Sequence, residues 1–177
     1  MEVIILNKDN LCDEEVTDFS LKVRGIIKKD DSFVVGKYAD VYLLPGGKIE
    51  VGENALFGLS RELKEEIGID YSVDEFVPFI RVIHYEKDYI KKDGSKVNRK
   101  VDTMYFSLPF KGINLDNVKL SDSELDGGFS LDFITISDLE DIMSSSSFNP
   151  RRDFFNSELS IVLDTYLNKD KSKVFEK

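Results

Sequence analysis

The chain has 177 residues, 41% of them hydrophobic, and its 34 acidic and 24 basic side chains leave a formal net charge of −10. This length suits one domain with a sizeable core, and no apolar run approaches a membrane span. The acidic balance argues against a nucleic-acid binder, and a phosphate-bearing ligand would need cations or local Lys and Arg groups to be held.

MEVIIL, lacking the basic and long apolar regions of a targeting segment, reads as a short strand followed by a polar lead-in to residue 18. The one cysteine, Cys12, excludes an internal disulfide and suits a reducing cytoplasm. With no His nearby in sequence, it has no catalytic role. Residues 21–28 and 32–38 are rich in β-branched side chains and flank KKDD, which predicts a hairpin. A short strand over 41–44 leads into Pro45-Gly46-Gly47, read as a glycine-rich turn that lets main-chain oxygens approach a ligand.

A helix is expected from about residue 54 to 67, with Gly68 as its stop. Leu56, Leu59, Leu63 and Ile67 recur at steps of three and four and define its buried side. Beside them, Glu62, Glu65 and Glu66 fall within about a 100° arc. Gly58 lies one turn before Glu62, where a missing side chain leaves room for a metal or phosphate. Three neighbouring carboxylates repel one another, and a hard divalent cation such as Mg²⁺ would reverse that repulsion.

Beyond the helix, 75–89 and 97–110 are strand-like runs joined at Asp93-Gly94, a hairpin turn signal. Residues 111–129 read as a polar loop and 131–136 as a last strand. Ser137 is the expected N-cap of a short helix, with Glu140 three residues on. SSSSFN follows as a linker. Asn149 and Pro150 are the expected start of a closing helix with Phe155, Leu159, Val162 and Tyr166 on its apolar side. Residues 1–170 are thus expected to form one α+β domain, with 171–177 as a frayed tail.

Gly47, Glu53, Arg61-Glu62-Leu63, Glu65-Glu66 and Gly68-Ile69 stand at spacings that resemble the signature of the Nudix hydrolases at every specified position. At about 6% per residue type, its seven fixed residues would coincide by chance roughly once in 10⁸ to 10⁹ starting points. The resemblance implies an α/β/α sandwich with a mixed β-sheet. It further implies Mg²⁺ or Mn²⁺ held by Glu62, Glu65 and Glu66, with the main-chain carbonyl of Gly46 or Gly47 as an additional ligand. In the family, the counterpart of Glu53 is part of the metal site, and Arg61 pairs with a box glutamate and orients it.

The implied activity is a pyrophosphohydrolase that cleaves a nucleoside diphosphate linked to another moiety, by water attack on phosphorus. The alternative is a non-catalytic module of the same fold that senses a nucleotide. Family members differ in their general base. It is either a box glutamate or an acidic residue in a loop before the last strand, for which Glu124 is the candidate, with Asp122 and Asp126 close by. Arg24 and Lys37 are candidates for phosphate contacts, and Tyr38, Tyr42 or Tyr85 for stacking on a base, against a default of sheet packing. His84 lies on a strand pattern and reads as structural. The substrate, the number of ions and the oligomeric state, a homodimer included, stay open.

Overall fold

The computed structural model describes residues 1–38, 40–91, 93–145 and 151–175, apart from the side chains of 123 and 170–175. In chain order the strands of the first half are β1 (Glu2–Leu6), β2 (Asp18–Lys29), β3 (Ser32–Tyr38), β4 (Val41–Leu43) and β5 (Gly46–Lys48). Helix α1 (Ala55–Ile67) follows, then β6 (Val77–Ile90) and β7 (Lys96–Leu108). The rest is α2 (Asp122–Asp126), β8 (Ser130–Ile134), α3 (Ile136–Ser144) and α4 (Arg152–Phe175).

The chain divides into two compact units. The first comprises Met1–Gly25, Gly46–Lys64 and Asp70–Leu108. Its strands run β1-β6-β7-β2, with β5 also paired to β2. Strand β1 lies parallel to β6, with Glu2 opposite Ile80 and Leu6 opposite His84, whereas β6 and β7 are antiparallel. The sheet is therefore mixed. Hydrophobic alternation sets which face is buried: Ile80 and Val82 are fully buried in β6, as are Val23 of β2 and Leu59 and Leu63 of α1. A bidentate ion pair from Arg81 on β6 to Asp102 on β7 crosses the sheet. The Asp102 residue is only 2% exposed.

The segment expected as a turn at Gly46-Gly47 is instead a three-residue strand. Glycine disfavours strands on its own, but Lys22, Val23 and Arg24 of β2 pair with Lys48, Gly47 and Gly46. Their ladder fixes β5.

The second unit comprises Ile26–Pro45, Glu65–Ile69 and Pro109–Lys177. The β2–β3 hairpin turns through two residues, Asp30 and Asp31, with Lys29 opposite Ser32 and a positive φ of 53° at Asp30. Strand β3 pairs with β4 on one side and β8 on the other, both antiparallel. Phe33, Val34, Val35, Ile134, Leu139, Leu159, Val162 and Leu163 form the core here. Among these apolar groups Asn156 of α4 is completely buried. Its Oδ1 accepts the Tyr42 backbone N–H at 2.9 Å, and its Nδ2 donates to the Asp40 carbonyl at 3.0 Å.

The residues expected as a loop over 111–129 contain a 3-10 turn, Leu115–Asn117, and α2. Helix α3 begins earlier than expected. Its N-cap is Thr135, whose hydroxyl accepts from the Asp138 backbone N–H, and Asp138 answers by accepting from the Thr135 N–H. That reciprocal box satisfies two helix-end donors and displaces Ser137 from the role. At the other end of α3, Arg152 donates to the carbonyls of Ser145 and Ile142. The expected linker and the Asn149-Pro150 start of the last helix fall largely or wholly outside the described residues, and the backbone of α4 continues through Phe175. Among the described residues, no helix is long and apolar enough to cross a membrane.

Candidate functional site

Gly46 and Gly47 do different jobs in β5. Gly46 has φ +131°, and a Cβ there would stand 2.2 Å from the Val23 carbonyl oxygen. Only glycine lets the strand lie that close to β2. At Gly47 a Cβ would stand 2.4 Å from Cδ of Glu62, so its missing side chain leaves the space in which the Glu62 carboxylate rests.

The carboxylate is held from the other side by Arg61. Its Nη1 donates to Glu62 Oε1 at 2.8 Å, while Nε and Nη2 donate to the two oxygens of Glu53 at 3.0 and 3.1 Å. Nη2 also lies 3.4 Å from the Lys48 carbonyl. Planar guanidinium geometry suits such a fork. Glu53 is fixed further by the Glu50 backbone N–H, 3.0 Å from Oε2. The space left by Gly58 is taken by this Glu53 side chain, since a Cβ there would lie 2.9 Å from Oε2. The room expected for a metal or phosphate at Gly58 is therefore filled by a carboxylate. The Arg61 guanidinium, and after it the Glu50 N–H, holds the Glu53 carboxyl below the usual range, and Glu53 in turn raises Arg61.

Glu65 and Glu66 follow in the last turn of α1, three and four residues beyond Glu62. Glu66 is 5% exposed and Glu65 is half-buried. The end of the helix is closed within the second unit, where the Lys119 N–H donates to the Glu65 carbonyl and the Asn114 N–H to the Ile67 carbonyl. Gly68 has φ +73°, and a Cβ there would stand 1.9 Å from the Asn114 oxygen. Among the described residues, no three Asp, Glu, His or Cys side chains converge as a ready-made metal site. The donor chemistry nevertheless fits a hard divalent cation, being all oxygen and carried on one helix. Glu62, at 14% side-chain exposure, retains access to water.

Arg24 is 7% exposed and donates from Nη1 to the Gly46 carbonyl at 3.2 Å. Its head group thus supports the backbone of β5. Lys37 lies in the second unit, with its ammonium 5.4 Å from the ring centre of Tyr42, its cross-strand partner. Glu124, also in the second unit, lies on α2 and accepts from the Ser121 N–H and hydroxyl through Oε2. Tyr85 donates to Asp13 at 2.8 Å. His84 is buried in β6 and Cys12 is exposed. Sequence reading missed Asp13, Lys100, the Arg81–Asp102 pair and Asn156, whose partners are all far away in the chain.

The fold is α+β with a mixed sheet, as expected. The chain belongs to the NUDIX family, whose domain model matches residues 23–153. An 8-oxo-dGTP diphosphatase of Buchnera aphidicola subsp. Acyrthosiphon pisum (strain APS) is 39% identical over 61 residues, 34% of this chain. The chain spans about half the length, 49%, of that curated relative. Among solved structures, a NUDIX hydrolase from Nitrosomonas europaea aligns over 87% of this chain and 90% of its own, with 18% identity and TM-score 0.53. A C. elegans Ap4A hydrolase binary complex covers 88% and 99%, with 12% identity and TM-score 0.52. At such identities these two likenesses show the fold alone.

Proposed function

We propose that the chain is a pyrophosphohydrolase dependent on Mg²⁺ or Mn²⁺, acting on a nucleoside diphosphate linked to another moiety. The observation that carries this reading is the Glu53–Arg61–Glu62 clamp over Gly47, which holds a carboxylate in place at the cost of an otherwise unfavourable crowding of acids. Glu62, Glu65 and Glu66 would hold the cations, with the main-chain carbonyl of Gly46, to which Arg24 donates, as an additional oxygen ligand. Bound divalent ions would neutralise the phosphate oxygens, stabilise the leaving group and make water more acidic.

The chain's own groups do the rest. Arg61 keeps Glu62 from rotating away and offsets the repulsion among the acids. The proton acceptor from the attacking water would be either a box glutamate or Glu124, whose Oε2 caps α2. Attack on one phosphorus then yields two phosphate-terminated fragments. The name of the Buchnera relative, 8-oxo-dGTP diphosphatase, supports a nucleotide with a cleavable diphosphate.

Incubation with Mg²⁺ and a panel of 8-oxo-dGTP, dinucleoside polyphosphates and nucleotide sugars, followed by ³¹P NMR, tests the proposal. Release of phosphate-terminated products is expected, and it should stop when chelator removes the ion. Binding without product release would instead identify a nucleotide-sensing module.

A further inference from the structure

We propose that Phe129 is a positioning residue: its ring, seated in the gap left by Gly36, holds α2, and with it Glu124, in a fixed position relative to the last turn of α1. The inference rests on the proposed function and, within it, on Glu124 as the proton acceptor. Gly36 is buried in β3, and a Cβ there would stand 2.5 Å from Cε2 and 3.2 Å from Cζ of Phe129. The missing side chain therefore lets the ring edge lie against the strand backbone. Tyr38, two residues on and so on the same face of β3, flanks the ring with centres 5.1 Å apart and planes 59° apart.

Helix α2 has five residues, too few to persist in water, where about 12–15 give only marginal stability. Both of its ends are closed. Glu124 Oε2 accepts from the N–H and hydroxyl of Ser121, as the acidic member of a capping box does. At the other end Gly128 takes φ +65°. Its N–H donates to the Leu125 carbonyl at 3.1 Å, and the Phe129 N–H to the Glu124 carbonyl at 3.0 Å. This crossed pair is a Schellman motif, in which the residue placed like Phe129 often packs back on its own helix. Here the ring goes to the sheet instead, and Asp122, Leu125 and Asp126 stay exposed.

Upstream, the Asn114 N–H donates to the Ile67 carbonyl and the Lys119 N–H to the Glu65 carbonyl, at 3.0 and 2.8 Å. The stretch between β7 and β8 is thus pinned twice within the second unit. One pin is the end of the helix that carries Glu65 and Glu66, and the other is β3. Glu124 lies between them in sequence. In the step it serves, the attacking water passes a proton to the carboxylate, its oxygen bonds to phosphorus, and the bridging P–O bond breaks toward the departing phosphate. A misplacement of about 1 Å can cost on the order of 10²-fold in such a step, so the anchor matters as much as the acid.

The test is a double-mutant cycle in Mg²⁺, with whichever of 8-oxo-dGTP, a dinucleoside polyphosphate or a nucleotide sugar the unaltered chain cleaves. Glu124→Gln keeps the capping box, which takes either side chain, and should lower kcat about 10²-fold or more. Phe129→Ala should lower kcat about 10- to 100-fold with KM unchanged, yet cause no further loss in the Glu124→Gln background. Gly36→Ala expels the ring from the other side, and replaces Phe129→Ala should that variant fold poorly by circular dichroism. Hydrogen exchange reads the anchor without turnover. The amides of Gly128 and residue 129 should exchange about tenfold faster or more once the ring is removed, with those of α1 unchanged. Equal losses of kcat in both backgrounds would overturn the inference, as would near-normal kcat in Glu124→Gln or Phe129→Ala, or unchanged exchange. All of these leave cleavage by the unaltered chain intact, whereas no cleavage by that chain would overturn the proposed function and this inference with it.

Discussion

Two arginine–carboxylate forks in the first unit use the same chemistry to different ends. Arg61 grips Glu53 eight residues earlier and reaches on to Glu62. Arg81 grips Asp102 across twenty-one residues and two strands. The Arg61 fork leaves one nitrogen for a carboxylate that faces a glycine gap. The Arg81 fork covers an acid that is 2% exposed, and its work ends with the sheet. A guanidinium fork is therefore no sign of chemistry by itself. What it leaves oriented and reachable decides.

The largest separation between the two regions is expected beside the first fork. Glu65→Gln should lower Mg²⁺-dependent turnover by about 10²- to 10³-fold while the melting temperature hardly moves, because Glu65 takes no part in the apolar stripe of α1. Single-turnover rates on the folded variant check this, and near-normal rates would remove Glu65 from the site.

The forks themselves come next. Arg61→Lys loses bidentate geometry and should cost roughly 10- to 100-fold in turnover, as for a residue that orients a ligand. Arg81→Gln leaves a buried carboxylate uncompensated. It should cost about 2 kcal/mol and about 4–8 °C in melting temperature, with kcat unchanged. If Arg81→Gln slowed catalysis as much as Arg61→Lys, the contrast between the two forks would disappear.

The neighbouring glycines sharpen the contrast on a smaller scale. Gly46→Ala forces a methyl onto the Val23 carbonyl at a φ that L-residues avoid, and should destabilise by about 1–3 kcal/mol. Gly47→Ala places its methyl where the three nearest atoms all belong to the movable end of Glu62. It should therefore spare stability, read by thermal melting, and lower turnover.

The smallest effect is a pH dependence. The Glu53 carboxyl is depressed in the folded chain by Arg61 and then by the Glu50 N–H. Its contribution to stability is thus fully present above the unfolded value of about 4.3 and is lost as pH falls through the lower folded value. The melting-temperature gap between the unaltered chain and Glu53→Gln should be constant from neutral pH to about pH 5.5 and shrink below that. A gap that widened on acidification would contradict the assigned pairing.

The sequence made the local parts of this architecture readable. The apolar stripe of α1, the hairpin turn at Asp93-Gly94 and the spacing from Gly47 to Ile69 are encoded within short windows, and the structure carries the corresponding elements. Strand β5 was misread because glycines signal a turn until Lys22–Arg24 supply a ladder. The start of α3 was misread because two overlapping capping patterns compete, and the end of β8 at Ile134 favours the earlier one. Asp13 with Lys100, Arg81 with Asp102 and Asn156 with Asp40 had no window at all. Their partners meet only after strands pair, so residue spacing carries no trace of them.

The placement of Asn156 has a consequence for the order of events on the ribosome. Until α4 has been synthesised, the Tyr42 N–H and the Asp40 carbonyl lack the Asn156 side chain that joins them in the finished fold, although β4 can already pair with β3. The seam between β4 and α4 therefore closes only when residues far downstream arrive, and a chain stalled before them would leave it open to chaperones and proteases.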